Sequence, residues 1–176
     1  MNPTTEGNLD GYGAPQIEWG RVQDRLESHI PQAPDTEGPG RHTSWLATTN
    51  PGGTPHVMPL GALWIDDAFF FTSGPGTRKS RNLEDDPRCV ITVATHDFDL
   101  VVEGEAVRVT DDAKLQHVAD VFGAGDWHPT VQDSAFTAEF SAPSAGPSPW
   151  YVYEMTPKTI FALGASDPYG ATRFGF

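Results

Sequence analysis

A single cysteine, Cys89, stands in 176 residues, so no intrachain disulfide can form and the composition fits a reducing compartment. Basic residues are scarce too: 11 Lys and Arg against 24 Asp and Glu leave a formal net charge of −13. A surface of that sign repels phosphate backbones and anionic headgroups, which argues against nucleic acid and against a membrane as partners. Long apolar runs are missing. The longest, residues 60–65 and 68–71, fall far short of the roughly 20 residues a spanning helix needs. Residues 1–15 are polar and acidic, without a hydrophobic stretch after a basic start. No signal peptide is expected, and the location these absences point to is cytoplasmic.

Motifs that carry side-chain chemistry are absent as well. Six histidines occur without metal-ligand spacing, there is no H-E-x-x-H, and one cysteine cannot build a zinc knuckle. No G-x-S-x-G nucleophile elbow is present. Lys79-Ser80 after a glycine-containing turn imitates a phosphate-binding P-loop. The position before the lysine must be glycine, however, and here it is Arg78. An enzyme without its own catalyst is one in which a cofactor does the chemistry and the protein binds and orients it.

What is present is aromatic and turn-rich: 10 Phe, 5 Trp and 4 Tyr exclude a wholly disordered chain, while 18 Gly and 16 Pro announce many turns. Residues 1–14 lack any period and read as a disordered lead. Ile17, Val22, Leu26 and Ile30 recur near helical spacing, predicting an amphipathic helix over 15–30 opened by Pro15. Residues 31–40 read as a linker, so 1–40 precede a domain over 41–176. Strands are expected over 44–49, 55–65, 68–72, 89–94 and 100–109, and over 150–155 and 159–163 hinged at Pro157. Pro59 removes a backbone donor from the second strand, which marks an edge, a bulge or a place left open for a ligand. The apolar parity of 100–109 changes along its length, predicting a bulge near Gly104. Thr110 or Asp111 caps a helix over 112–122 bearing Leu115, Val118, Ala119 and Phe122 on one face. Residues 123–149 form a long Pro/Ser/Ala-rich connection of the kind that is usually functional. Six or seven strands with few helices predict a mainly β protein, a small closed or half-closed barrel with Greek-key-like connections.

One spot breaks the acidic background. After the strand that ends at Thr72, a Gly/Pro turn leads to Thr77, which can cap a short helix over 77–83. Arg78, Lys79 and Arg81 place three cations at its positive end, a combination suited to an anion. The alternative is an ordinary solvated helix start.

The blocks PHVMPLGALW, FFFT, TRKSRNLEDDPR and VEGEAVRVTD, with the ATRFGF ending, resemble the pyridoxamine 5′-phosphate oxidase-like split β-barrel superfamily. They look most like its actinobacterial branch that binds flavin or deazaflavin cofactors. The resemblance spans about residues 40–176. It implies a homodimer with two cofactor sites between subunits and a small-molecule substrate. The cofactor phosphate would lie on Thr77, Arg78 and Lys79, with Asn82 one turn on. His56, Val57, Met58, Pro59 and Leu60 would run along the cofactor ring system, and Thr72 would complete the wall. Pyridoxamine-phosphate oxidases carry an arginine where His56 stands, and a basic C-terminal motif where this chain ends Arg173-Phe174-Gly175-Phe176. Those departures turn the expectation toward an oxidoreductase using coenzyme F420, with FMN as the alternative cofactor. A non-catalytic barrel binding a cofactor or haem is the competing class.

Overall fold

The computed structural model describes residues 1–28, 44–125, 127–142 and 145–176. The described chain forms strands β1 (Thr5–Asn8), β2 (Ser44–Thr49), β3 (Pro55–Leu60), β4 (Ala62–Ile65), β5 (Ala68–Ser73), β6 (Arg88–Ala94), β7 (Phe98–Arg108), β8 (Thr130–Gln132), β9 (Ala135–Thr137), β10 (Tyr151–Gly164) and β11 (Ala171–Gly175). Helices are α1 (Trp19–Glu27), α2 (Arg78–Asp85) and α3 (Asp112–Gly123). Nine strands join one antiparallel sheet in the order β1-β11-β10-β7-β6-β2-β3, with β5 pairing both β10 and β4; β8 and β9 form a separate hairpin. The protein is mainly β, as expected, with more strands in the sheet than the six or seven the sequence suggests.

The extra strands come from both termini. Residues 1–14 are not a disordered lead: β1 pairs residue by residue with β11, Thr5 opposite Gly175 and Asn8 opposite Thr172. Neither strand carries a strong apolar alternation, because the ladder is held by backbone hydrogen bonds that sequence pattern does not record. Helix α1 starts at Trp19, later than Pro15, because the Ile17 amide donates to Thr172 Oγ1 at 2.8 Å and ties the approach to β11. Trp19, Val22 and Leu26 form its buried face. Ile30 and the linker over 31–40 lie outside the described residues.

The core has two compartments. Leu46, Phe69, Phe71, Ile91, Val102, Met155 and Phe174 fill the space under α1. Phe70, Val152, Leu115, Val118 and Phe136 pack between β5, α3 and the β8–β9 hairpin. Strand β5 therefore buries both faces, which is why its sequence reads as an unbroken apolar run.

Two expectations about β-strand geometry change. The stretch 55–65 is broken at Gly61 into β3 and β4, and no ladder joins these two among the described residues. The bulge expected near Gly104 lies instead in the facing strand, where the β7–β10 register shifts between Pro157 and Thr159. Leu100, Val102, Gly104 and Ala106 keep one parity throughout β7. A Cβ at Gly104 would sit 2.1 Å from the Thr156 carbonyl oxygen, so glycine there admits the irregular segment of β10. Around it, 150–155 and 159–163 merge into a single 14-residue strand. Among the described residues no helix is long and apolar enough to cross a membrane.

Candidate functional site

The turn after β5 is built by hydroxyls. Thr77 caps α2, its Oγ1 accepting from the Ser80 amide at 3.3 Å, while its own amide donates to the Gly74 carbonyl at 3.0 Å. Ser73 Oγ lies 2.8 Å from Thr77 Oγ1 and 2.8 Å from Ser80 Oγ, which also donates to the Gly74 carbonyl at 2.9 Å. Three hydroxyls thus lock the first turn of the helix against the end of β5. Gly74 lets a further segment close over this turn, since a Cβ there would lie 2.5 Å from the Ala145 carbonyl oxygen.

With the turn fixed, Arg78 is exposed and Lys79 half-buried. Burial holds the Lys79 ammonium below the ordinary lysine range. Lys79 lines a cavity of about 680 Å³, within the roughly 300–1,000 Å³ typical of small-molecule sites. Pro59, Leu60 and Gly61 contribute the β3–β4 break, and Thr72 and Ser73 the end of β5. The far wall comes from the end of α3 and the chain beyond it: Phe122, Trp127, Phe140, Ala142 and Ala145. Lys79 is the single ionisable side chain among the described residues lining the space.

Of the residues expected to bind a cofactor, the structure brings Pro59, Leu60, Thr72 and Lys79 together around this cavity. His56, Val57, Met58, Thr77, Arg78 and Asn82 do not line it. His56 and Met58 lie half-buried on one face of β3, and Val57 is exposed on the other. The Thr77 hydroxyl is engaged in the cap. Asn82 is fully buried and faces β2, donating to Thr48 Oγ1 at 3.0 Å and Asn50 Oδ1 at 3.2 Å, so it pins α2 to the sheet. Strand β3 pairs on one side only, with β2, which gives Pro59 the edge position that a residue without an amide donor requires.

Sequence reasoning missed Ser73, Gly61 and the aromatic wall. The signal for the wall was present, because Trp127 and Phe140 fall within the long 123–149 connection. That connection contains the β8–β9 hairpin, turned through Asp133 and Ser134 at positive φ, and Phe136 bridges to Trp150.

A model of the family described as pyridoxamine 5′-phosphate oxidase matches residues 33–162. The chain belongs to this family. No curated protein matches it. Among solved structures, it is similar to a candidate pyridoxamine 5′-phosphate oxidase from Listeria innocua, with a TM-score of 0.55 and 16% identity over 82% of this chain and 96% of that one. It is also similar to a nimC/nimA family protein from Clostridium acetobutylicum (TM-score 0.56, 12% identity, 88% and 91% covered). A third is an FAD-binding protein from Mesorhizobium loti (TM-score 0.54, 16% identity, 89% and 94% covered). At these identities the likeness speaks to the split-barrel fold, and family members are often flavin-binding oxidoreductases.

Proposed function

We propose that the protein is an oxidoreductase that holds a flavin-type cofactor in the β3–β5–α3 cavity with a phosphate on Lys79. The observation that carries this reading is the partly desolvated Lys79, the single ionisable side chain among the described residues that line a largely apolar cavity of sufficient size. An anion there offsets the cost of burying the ammonium. Family membership supports a flavin-type ligand, and so does the Mesorhizobium neighbour described as FAD-binding. Coenzyme F420 is the first choice on the His56-Val57-Met58-Pro59 pattern of β3, and FMN the second. When bound, such a cofactor supplies hydride transfer. The chain's own residues do the rest: Lys79 neutralises the phosphate, the α2 amides present a positive dipole end beside it, and Thr72 offers a hydroxyl at the wall. The haem reading lacks support here, because among the described residues no His, Cys, Met or Tyr lines the cavity to serve as an axial ligand.

The working form in this reading is a homodimer acting on a small-molecule substrate, with neither nucleic acid nor membrane as partner, in the cytoplasm. Support for the dimer comes from β3, an edge strand whose outer face carries Val57 and Pro59 beside Trp45, with Trp45 48% and Val57 50% exposed.

The test is a titration of FMN and of F420, side by side, into wild type and Lys79→Ala. A charge-assisted phosphate contact is worth roughly 1.5–3 kcal/mol, so the variant should bind about ten-fold or more weakly. Added salt should weaken wild-type binding too, because the attraction is local to an acidic surface. Equal affinities in wild type and variant would place the phosphate elsewhere, and binding of neither cofactor would remove the flavin reading.

A further inference from the structure

Gly74 is a glycine for want of room rather than for backbone freedom. It is not among the glycines at positive φ, so an alanine would suit the turn itself. What a Cβ would meet is the Ala145 carbonyl oxygen at 2.5 Å, with Thr77 Cγ2 at an ordinary 3.5 Å. The turn side is firmly held: the Gly74 carbonyl accepts from the Thr77 amide at 3.0 Å and from Ser80 Oγ at 2.9 Å. Its neighbour Ser73 is fixed in the β5–β10 ladder opposite Tyr151. Ala145 lies outside any ladder. Its amide donates to the Ala142 carbonyl at 2.8 Å. Two indoles fasten the flanks, Trp127 Nε1 donating to the Phe140 carbonyl at 2.7 Å and Trp150 Nε1 to the Gly146 carbonyl at 3.1 Å. Ala142 and Ala145 line the cavity together with Phe140 and Trp127.

We propose that Gly74 is a positioning residue of the cavity: by admitting the Ala145 carbonyl, it sets how far the aromatic wall of Phe140 and Trp127 stands from the Lys79 turn. A Cβ would force that carbonyl back by about 1 Å to reach ordinary contact. The shift passes to the wall, because Ala145 is bonded to Ala142, two residues from the carbonyl that holds the Trp127 indole. A gap of roughly 0.5–1 Å forfeits about a quarter to a half of each dispersion contact. A ring lying against the wall is then held several-fold less tightly. A bare phosphate at Lys79 is indifferent to the change, since the first turn of α2 stays in place. The effect on a cofactor rests on the reading that this cavity holds one; the coupling of Gly74 to Trp127 does not.

The test reads indole N–H exchange with water by NMR on the isotope-labelled full chain, and Trp127→Phe identifies the Trp127 signal by its loss. Gly74→Ala should speed exchange at the Trp127 indole about ten-fold or more, as expected of a local opening. Trp19 is the control: its Nε1 donates to the Met1 carbonyl at 2.9 Å from α1 and should be unmoved. In the same variant FMN should bind about three- to ten-fold more weakly, with the affinity for inorganic phosphate unchanged. Trp127→Phe keeps an aromatic ring and the hydroxyl lock but removes the donor to Phe140, and it should speed exchange of the Ala145 amide. Combined with Gly74→Ala, it should weaken FMN by less than the product of the two single effects, because both act through one contact. An unmoved Trp127 indole in Gly74→Ala overturns the inference, and so does equal speeding at Trp19, which marks general loosening. Fully multiplicative FMN losses overturn it too. Should Gly74→Ala fail to fold, Trp127→Phe decides alone: an Ala145 amide exchanging as in wild type overturns the inference. If wild type binds neither FMN nor F420, the cofactor reading fails by itself, and indole exchange still decides the role of Gly74.

Discussion

Burial holds Lys79 below the 10.5 usual for lysine, and the sign of that shift has consequences for both stability and binding. A lysine whose folded pKa lies below its unfolded one carries fewer protons folded than unfolded between the two values. Stability therefore rises with pH across that window, and the burden of the buried charge is complete below the folded pKa. Lys79→Met should melt no lower than wild type at pH 7, with any gain fading as pH approaches about 10.5. Calorimetry across that range checks it, and a variant melting several degrees lower at pH 7 would mean that the ammonium makes stabilising contacts. Phosphate affinity should run the other way and decline at a pH where an ordinary lysine is still charged. Cys89 shows the opposite case, a buried thiol pushed up to about 12 and so kept protonated and unreactive. Residue identity made Lys79 visible in the sequence as one of three clustered cations. Which of the three faces a cavity was decided by the hydroxyl lock of Ser73, Thr77 and Ser80, whose contacts span two elements.

At the scale of elements, β10 is the hub: its first half pairs β5, its second half pairs β11, and β7 runs along both. The closest approach in this arrangement is at Gly104, where a Cβ would meet the Thr156 carbonyl oxygen at 2.1 Å and Met155 Cε at 3.0 Å. Backbone cannot yield as a flexible side chain can. Gly104→Ala should therefore destabilise by about 1–3 kcal/mol or more, lowering the melting temperature by roughly 2–12 °C. Thermal melts monitored by circular dichroism test this, and an unchanged melt would show that the β7–β10 register adapts. Strands bounded by turns were readable to within a residue or two, as β2, β5 and β6 show, because a buried face imposes alternation or an apolar run. Strands β1 and β11 were not readable, since their pairing rests on backbone bonds and on the small size of Gly175 opposite Thr5. The parity argument for a bulge found the right place and the wrong strand: one register shift disturbs both partners, and sequence shows only one of them at a time.

For the whole molecule, the exposed Trp45, Val57 and Pro59 on adjacent positions of β2 and β3 make the apolar face that a second copy would cover in the proposed homodimer. Sedimentation should give about 38 kDa, twice the 19.1 kDa chain. Adding charge to both strands, as in Trp45→Glu with Val57→Lys, should shift the protein toward monomer while each subunit stays folded, since neither side chain is buried. A wild-type species of one chain at micromolar concentration would overturn the dimer.

Composition and pattern alone determined that this chain is mainly β, that three helices cover it, and that its basic turn lies between a strand end and a helix start. Those properties follow from local rules: alternation, capping, and the fixed geometry of turns. The cavity was a tertiary decision. Its described walls come from the β3–β4 break, the end of β5, the first turn of α2 and the stretch that carries Phe122, Trp127, Phe140 and Ala145, so that Pro59 and Ala145 meet across 86 positions of sequence. No local rule connects them. They meet because β5 is buried on both faces: one side of it fills the compartment under α1, and the other draws α3 and the hairpin beyond it across the open end of the sheet.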